Sequence, residues 1–276
     1  MMESTLSQDV QEKLNQLRAL IAQLPSALVA YSGGVDSTFV LAVAHEVLDD
    51  RALGLTTSSS AVPARELEEA RLLAADIGAR HLVIDTDEVA IDAYAKNPIN
   101  RCYFCKDNLY RICHAEADNR SIETILDGVN LDDLGDVRPG LDAAREQKVR
   151  HPLVETKMTK ADVREASAHL GLPTWDKPAQ PCLASRFPYG TSISRARLGR
   201  IEEAEEQVRS LGFREFRVRF TGENTARLEI AGDELERARE TSTHEALVRG
   251  IQSAGFEEVV LDLRAFRSGR LNEAEG

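Results

Sequence analysis

The SGGVDS segment at residues 32–37 constrains the fold of this chain more than any other stretch. It follows a short apolar run at residues 26–31 and precedes a run with the apolar spacing of a helix at residues 38–48. A strand, a tight glycine turn and a helix N-terminus in this order direct backbone N–H groups and the helix dipole to one point. The segment therefore predicts an anion site, to which the serines add hydroxyl donors and Asp36 adds a carboxylate for magnesium.

The segment differs from a Walker A loop, because no Gly-Lys-[Ser/Thr] follows at the required spacing. It resembles instead the PP-loop of the ATP pyrophosphatase superfamily, whose members cut ATP between the α and β phosphates and adenylylate a substrate. The resemblance implies that ATP and Mg²⁺ bind here, with the metal near Asp36. The implied phosphate-binding residues are Ser32, Gly33, Gly34, Asp36 and Ser37.

The order of predicted elements indicates two domains. Strands at 26–31, 52–58, 81–85 and 122–128 alternate with helices, the last of them at 159–170, which predicts an α/β domain with a parallel, Rossmann-like sheet at residues 1–185. After it, a helix at 193–211, strands at 216–220 and 226–230, a helix at 236–254 and a last strand predict a small α+β domain for substrate binding or oligomerisation, at residues 186–276.

Polar residues follow several of the predicted strands. In a parallel sheet of this kind, ligands bind outside the carboxyl ends of the strands, at the switch point of the strand order. The PP-loop and the segments 56–58 and 127–130 all occupy such ends, so we expect them to converge on one nucleotide. Further nucleotide contacts are predicted at Thr57, Ser58, Gly128 and Asn130.

Composition and charge argue against two classes of partner. The chain of 276 residues carries a net charge of −12, which disfavours an electrostatic grip on a polyanion such as tRNA. It has no apolar run of membrane-spanning length, and its first residues lack the basic and apolar regions of a signal peptide. We therefore expect a cytoplasmic protein with a small-molecule nucleotide substrate, which binds neither nucleic acid nor a membrane.

Three of the four cysteines lie in or near a predicted helix. Cys102 and Cys105 form a C-x-x-C pair, which is consistent with half a zinc site, a redox pair or a local structural feature. Because a second such pair is missing, the interpretation we favour is that the flanking Arg101 and Lys106 reach the nucleotide phosphates as cations. Cys113 follows an apolar helical pattern and is predicted to lie in the core.

The fourth cysteine, Cys182, lies in an irregular segment rich in proline between the two predicted domains. Functional residues concentrate on such loops when rigid elements hold them. The nearby Lys177 and Arg186 would favour the thiolate form and raise its reactivity. A buried linker cysteine without chemistry is the alternative on local sequence alone.

A series of motifs occurs here in one order: SGGVDS, NPINRCYFCK, LDGVNLDDLGDVRPG, HPL, TK, LGLPTWDKP and CLASRFPYG. Together they resemble the LarE family, the ATP-dependent sacrificial sulfur transferases that build the nickel-pincer nucleotide cofactor of lactate racemase. The resemblance covers nearly the whole chain, including residues 217–219 and 266–273. The PP-loop belongs to a broad superfamily, whereas CLASR after DKP is far more specific.

The resemblance implies a reaction on pyridinium-3,5-biscarboxylic acid mononucleotide. ATP would adenylylate one carboxylate, and Cys182 would act as the catalytic thiolate that displaces AMP and forms a thioester. Cleavage of the carbon–sulfur bond would leave the sulfur on the substrate as a thiocarboxylate and a dehydroalanine at position 182. Some members of the family hold an iron–sulfur cluster with three cysteines, but this chain has a single cysteine in the CLASR region and resembles the sacrificial kind.

Other residue roles follow from the same match. Ser185, Arg186, Arg217 and Arg219 are implied to bind the phosphate and carboxylate of the substrate, although a solvated strand face is an alternative for the two later arginines. Glu229 and Asp233 are implied to assist metal binding or proton transfer, and Asp132 and Asp133 form either a magnesium-binding or a solvated acidic loop. The family further implies a homo-oligomer and transient contact with other proteins of the nickel-pincer pathway.

Two other functions remain open at this point. One is another adenylylating PP-loop enzyme, either a tRNA thiolase or an ammonia-using synthetase. The net charge disfavours the thiolase, and a synthetase would not need the linker cysteine. The other is a non-catalytic partner that binds a nucleotide or a metal.

Overall fold

A computed structural model describes residues 6–135 and 139–264 of the chain. Contacts divide these residues into two compact units: residues 6–88 with Asn100–Gln180, and Val89–Ile99 with residues 181–264. The domain boundary at 185/186 stays a prediction, and the segment Val89–Ile99 was not expected in the second unit. The motif at 266–273 and the C-terminal tail lie outside the described residues.

The described helices are α1 (Gln8–Ala22), α2 (Val35–Leu48), α3 (Ala64–Ile77), α4 (Asp92–Ala95), α5 (Arg101–Arg120), α6 (Pro139–Glu146), α7 (Pro152–Glu155), α8 (Lys160–His169), α9 (Arg195–Ser210), α10 (Leu235–Arg239) and α11 (Thr241–Ser253). The described strands are β1 (Ala27–Ala30), β2 (Ala52–Ser58), β3 (Arg80–Asp85), β4 (Thr124–Leu126), β5 (Phe216–Phe220), β6 (Thr225–Ile230) and β7 (Glu258–Leu261). None of these helices combines the length and apolarity that a membrane-spanning segment requires.

The sheet of the first unit is parallel, which confirms the α/β class. Its strand order is β3-β2-β1-β4, so β1 lies in the interior with β2 on one side and β4 on the other. In the register of these strands, Ala30 is opposite Leu55 and Val29 is opposite Leu126. The chain order reverses at β1, and the loops after β1 and β4 therefore border the switch point where parallel sheets bind ligands.

The core of the first unit lies on both faces of this sheet. All four residues of β1 are buried, and they alternate between the faces because successive side chains of a strand point in opposite directions. Ala27 and Val29 belong to a cluster with α1, α2 and α8, and Leu28 and Ala30 to a cluster with α5 and α6. Cys113 is fully buried in the second cluster, as predicted, and burial raises the pKa of its thiol to about 12.

Helix starts in both units follow their sequence signals. Thr159 caps α8, and its side chain accepts a hydrogen bond from the N–H of Asp162, whose carboxylate accepts one from the N–H of Thr159. This reciprocal pair satisfies two N–H groups that the helix itself leaves unbonded. Ser194 caps α9 by accepting a hydrogen bond from the N–H of Arg197 at 3.2 Å. Both N-caps were predicted from the sequence.

The second unit has a mixed sheet of order β5-β6-β7, in which β5 and β6 are antiparallel and β6 and β7 are parallel. The antiparallel pair was predicted, but the single helix at 236–254 is wrong. The backbone is extended at Glu240 (φ −58°, ψ 131°), which separates α10 from α11. The cause is local, because the Thr241-Ser-Thr run that follows is a weak helix former.

The segment Val89–Ile99 joins the second unit through backbone and side-chain hydrogen bonds. The amide of Asn97 donates to the carbonyl of Pro188 at 2.8 Å, and the carbonyl of Asn97 accepts from Gly190 at 2.8 Å. The N–H of Ile193 donates to the carbonyl of Ala95, also at 2.8 Å. These partners lie about ninety residues apart in the sequence, so no local pattern marks the pairing.

Candidate active site

The PP-loop lies between β1 and α2, and its glycines are required by geometry. Gly33 has φ +71°, and a Cβ atom there would lie 2.9 Å from the Cβ of Ala70 on α3. Only glycine meets both conditions without strain. Gly34 is the N-cap of α2, and no side chain in the described part of the chain caps this helix. The first N–H groups of α2 and its dipole therefore face the loop, as an anion requires.

Two serine side chains close the loop. The hydroxyls of Ser32 and Ser37 lie 3.0 Å apart, and the N–H of Ser32 donates to the Ser37 hydroxyl at 3.1 Å. The Ser37 hydroxyl also donates to the carbonyl of Gly34 at 3.3 Å. These contacts hold both hydroxyls at the helix N-terminus, where either hydroxyl can donate a hydrogen bond to a phosphate oxygen instead.

The structure brings the loop after β4 against the PP-loop. A Cβ atom on Gly128 would lie 2.7 Å from the backbone nitrogen of Ser37, so the two backbones are in direct contact. The amide of Asn130 donates to Asp36 Oδ1 at 3.2 Å. Of the nucleotide residues predicted from the sequence, Gly128 and Asn130 therefore lie at the PP-loop itself.

Sequence reasoning missed Lys160, the first residue of α8. Its Nζ lies 2.5 Å from Asp36 Oδ2, and its N–H donates to Asp132 Oδ2 at 2.8 Å. Asp133 in turn accepts the N–H of Asn130 at 3.1 Å. The two loop carboxylates thus bind backbone N–H groups and shape the loop. The only sequence signal for Lys160 was its place in the TK motif at a helix start.

Lys177 also has a role that the sequence did not reveal. Its ammonium lies 2.9 Å from Glu66, 3.0 Å from Glu69 and 3.4 Å from the carbonyl of Gly33. Burial lowers the pKa of Lys177, but the bonds to both glutamates outweigh this effect and hold that pKa above its ordinary value. Lys177 therefore joins the segment after α8 to α3 and to the PP-loop, with its charge balanced by two carboxylates.

The other predicted nucleotide residues of this unit lie on β2 and α5. Thr57 and Ser58 end β2 and are half-buried, and Arg101 is buried at the start of α5. The ammonium of Lys106 lies over the ring of Tyr110, 5.6 Å from its centroid. Cys102 is exposed and Cys105 half-buried, and neither forms a disulfide. The described residues contain no group of three or more histidine, cysteine or acidic side chains that could hold a metal ion.

Cys182 lies in the second unit, directly before a short 3-10 turn (Leu183–Arg186). The residue is half-buried, and its carbonyl accepts the N–H of Ser185 at 2.9 Å. The guanidinium of Arg186 donates to the carbonyls of Pro181 and Cys182, at 2.6 and 3.3 Å. The backbone on both sides of the thiol is therefore fixed by hydrogen bonds.

A buried ionic cluster supports this turn. Glu205 on α9 binds the guanidinium of Arg186 through two bonds of 2.8 and 2.9 Å. Glu205 also accepts the N–H of Val218 on β5 at 3.1 Å. Arg219 on β5 donates to Glu229 at 3.0 Å and to the carbonyl of Ser185 at 2.8 Å. The cluster thus joins α9, β5 and β6 to the turn that carries Cys182.

The cluster is cationic. Arg217 and Arg219 are only 6% and 3% exposed, which contradicts the alternative of a solvated strand face. Among the described residues, the guanidinium groups of Arg186, Arg217, Arg219 and Arg227 lie with the carboxylates of Glu205 and Glu229. Burial lowers the pKa of Arg217 to about 10, and the charges of Arg186 and Arg219 contribute. An anionic ligand would relieve this excess of positive charge.

The predicted metal ligands of the second unit differ in their settings. Glu229 is buried on β6 and bonds to Arg219, with Arg227 also within 3.5 Å. A metal ion at Glu229 would have to displace these guanidinium groups. Asp233 is exposed in the turn after β6. The structure gives Glu229 the role of a charge partner for arginine.

Comparison with known proteins identifies the family of this chain. A family model described as NAD synthase matches residues 9–111, which include the PP-loop. The pyridinium-3,5-bisthiocarboxylic acid mononucleotide synthase of Lactiplantibacillus plantarum is 36% identical over 93% of this chain and 92% of its own. The chain belongs to the LarE family.

Two proteins whose names give no activity are also similar to the chain over most of its length. An uncharacterized protein of Synechocystis is 44% identical over 95% of this chain and 98% of its own. An uncharacterized protein of Methanocaldococcus jannaschii is 30% identical over 87% of this chain and 90% of its own. The similarity to the synthase and to these two proteins thus covers both units of the chain.

Proposed function

We propose that this LarE-family chain is an ATP-dependent sulfurtransferase that acts on pyridinium-3,5-biscarboxylic acid mononucleotide, as the name of the Lactiplantibacillus plantarum relative suggests. The observation that carries the proposal is the combination of two features in one chain. One is a PP-loop with an uncapped helix N-terminus. The other is a half-buried cysteine on a turn held by a cationic cluster. Neither an ATP-binding module nor a simple ligase needs both.

The proposed reaction has three steps. A substrate carboxylate attacks the α-phosphorus of ATP, and pyrophosphate leaves. The Cys182 thiolate then attacks the activated carbonyl carbon and AMP leaves, which gives a thioester. Loss of the Cα proton of Cys182 and cleavage of its Cβ–Sγ bond leave the sulfur and its electron pair on the substrate as a thiocarboxylate. Position 182 becomes dehydroalanine, so each chain turns over once.

The residues of the two units divide these tasks. Ser32, Ser37 and the first N–H groups of α2 bind the phosphates, while Lys160 and Asn130 orient Asp36. Arg217 and Arg219 supply the positive charge for the phosphate or carboxylate of the substrate. Arg186 is bonded to Glu205 and to backbone carbonyls, so we assign it to holding the Cys182 turn.

Asp36 suits magnesium. Mg²⁺ is commonly held by one or two carboxylates together with substrate phosphates. Asp36 offers such a carboxylate at the PP-loop, and the ammonium of Lys160, which lies against its Oδ2, would have to move aside for the metal. When bound, the metal would neutralise phosphate charge. A homo-oligomer, contacts with other pathway proteins and a cytoplasmic location stay predictions from the family resemblance.

Gly128→Ala is expected to weaken ATP binding at least tenfold. The new Cβ would lie 2.7 Å from the nitrogen of Ser37, so the PP-loop or the loop after β4 must move. Such a movement displaces the N–H groups that bind the phosphates. Isothermal titration calorimetry with ATP and magnesium measures the loss.

Gly135→Ala is the matched control, because a Cβ there would meet no atom within 4 Å among the described residues. It should bind ATP as the unmodified chain does. Circular dichroism should show both variants folded. Equal ATP affinity for both variants would contradict the contact between the two loops as part of the nucleotide site.

A further inference from the structure

The HPL motif has no role in the site described so far, and the structure connects it to a buried carboxylate. Asp127 follows β4 and is buried. Its Oδ2 accepts the hydroxyl of Tyr110 at 2.8 Å, and its Oδ1 accepts the N–H of Val129 at 3.1 Å. The Nδ1 of His151 lies 2.7 Å from the same Oδ1. Burial and the neighbouring Asp127 raise the pKa of Tyr110 above its usual range, so the phenol remains a donor.

This network fixes the imidazole of His151. A carboxylate can only accept, so Nδ1 carries the hydrogen and the ring has a defined orientation. Within the described residues, Nε2 has no hydrogen-bond partner, and the side chain is 21% exposed. Any proton that His151 gains or loses is therefore on Nε2. The arrangement is an oriented imidazole whose second nitrogen is open to a ligand.

The backbone places His151 at the carboxyl ends of the strands, where parallel sheets bind ligands. Arg150 forms a parallel bridge beside Leu126, and its carbonyl accepts the N–H of Asp127 at 3.2 Å. His151 is the residue after this bridge and thus leaves the sheet at the same end as Asp127, which follows Leu126. Two strand spacings separate this position from β1, or about 10 Å. Gly128, next to Asp127, contacts the PP-loop directly.

The charged groups that face His151 come from three elements. Asp127 lies in the loop after β4, Glu155 on α7 and Lys106 on α5. Burial lowers the pKa of His151, but the hydrogen bond to Asp127 outweighs burial and leaves that pKa above its ordinary value. The charge of Glu155 also raises this pKa, whereas the charge of Lys106 lowers it. The imidazolium form is therefore more populated near neutral pH than for an exposed histidine.

We propose that Nε2–H of His151 binds a phosphate oxygen of the nucleotide held by the PP-loop, with Asp127 and Tyr110 as the residues that position it. This inference rests on the proposed function, because it needs a nucleotide in the PP-loop. The protonated ring donates a charge-assisted hydrogen bond to the phosphate chain. The neutral ring, with its hydrogen on Nδ1, presents a lone pair at Nε2 and cannot donate there.

The probe is inorganic pyrophosphate, titrated by calorimetry into the full chain between pH 6 and pH 8.5. Four proteins are compared: the unmodified chain, His151→Gln, His151→Arg and His114→Gln. His114 is the matched control, a histidine of the same unit whose Nε2 contacts the backbone carbonyl of Gln147. Pyrophosphate itself gains charge as pH rises, so the informative quantity is the affinity ratio between variants at each pH.

At pH 6 the unmodified chain should bind pyrophosphate about tenfold more tightly than His151→Gln, the range expected for one hydrogen bond to a charged group. The ratio should fall towards one as pH rises through the pKa of the imidazole. His151→Arg should bind pyrophosphate more tightly than His151→Gln at every pH in the range. His114→Gln should bind it as tightly as the unmodified chain does.

Nitrogen-15 chemical shifts of the histidine rings give a second readout that needs no variant. Pyrophosphate should raise the pKa at which Nε2 of His151 titrates. A ratio of one at every pH, or an unchanged His151 titration in a chain that binds pyrophosphate, would overturn this inference and leave the proposed function standing. Absence of pyrophosphate binding by the unmodified chain would overturn both.

Discussion

Cys182→Ala should form no thiocarboxylate, whereas its use of ATP to activate the substrate should persist. The substitution removes the thiolate that displaces AMP but leaves the PP-loop in the other compact unit untouched. Incubated with ATP, magnesium and pyridinium-3,5-biscarboxylic acid mononucleotide, the unmodified chain should lose about 34 Da, the hydrogen sulfide that β-elimination removes from cysteine. Intact-protein mass spectrometry measures this change.

Cys102→Ala is the matched control, because Cys102 is an exposed free cysteine outside the CLASR region. It should lose the same mass and transfer one sulfur per chain. An ammonia-using synthetase would keep its full activity in Cys182→Ala, and a tRNA thiolase would act on RNA. Full mass retained by the unmodified chain, with more than one product per chain, would contradict the sacrificial reaction. A protein that leaves the substrate and ATP unchanged would instead be a binding partner.

Glu205→Ala should destabilise the protein by about 3–5 kcal/mol, the usual cost of removing one partner of a buried ion pair. The change leaves Arg186 buried without its two bonds to Glu205, beside Arg217 and Arg219. It also removes the acceptor of the Val218 N–H. Urea denaturation of the full chain, followed by circular dichroism, measures the shift in midpoint.

Glu203→Ala controls for the loss of a glutamate from the same helix, because Glu203 is exposed. It should leave the midpoint nearly unchanged. The double variant Arg186→Met with Glu205→Leu should lose less stability than the sum of its single variants, since it leaves neither charge unpaired. Equal midpoints for Glu205→Ala and Glu203→Ala would show that the cluster does not hold the second unit together.

Local patterns predicted the elements of this fold well. The apolar run before the PP-loop is β1, the residues 52–58 form β2, and the capping residues Thr159 and Ser194 start their helices. Each of these signals lies within a few neighbouring residues, where strand alternation, helix periodicity and capping chemistry act. The break at Glu240 lies in a stretch that has no apolar residue between Ala238 and Ala246, a local signal that the prediction of one helix did not use.

The partners of the charged residues could not be predicted in this way. Lys160 contacts Asp36 across 124 positions of the sequence, and Lys177 contacts Glu66 across 111. A long-range pair depends on how strands and helices are arranged in space, and a single sequence carries no periodic signal for it. For the same reason the sequence named Arg217 and Arg219 from a motif but gave no sign that they are buried with Glu205 and Glu229.

The supports of the Cys182 turn bear on the fate of a used chain. Ser185 and Arg186 bind the backbone carbonyl of Cys182, and within the described part of the chain none of the hydrogen bonds that hold the turn involves its sulfur. A chain that has given up this atom should therefore keep its shape and still recognise the mononucleotide. Spent molecules would then accumulate as competitive inhibitors of fresh ones. Cells that depend on this protein would have to replace or remove it at the pace of cofactor synthesis.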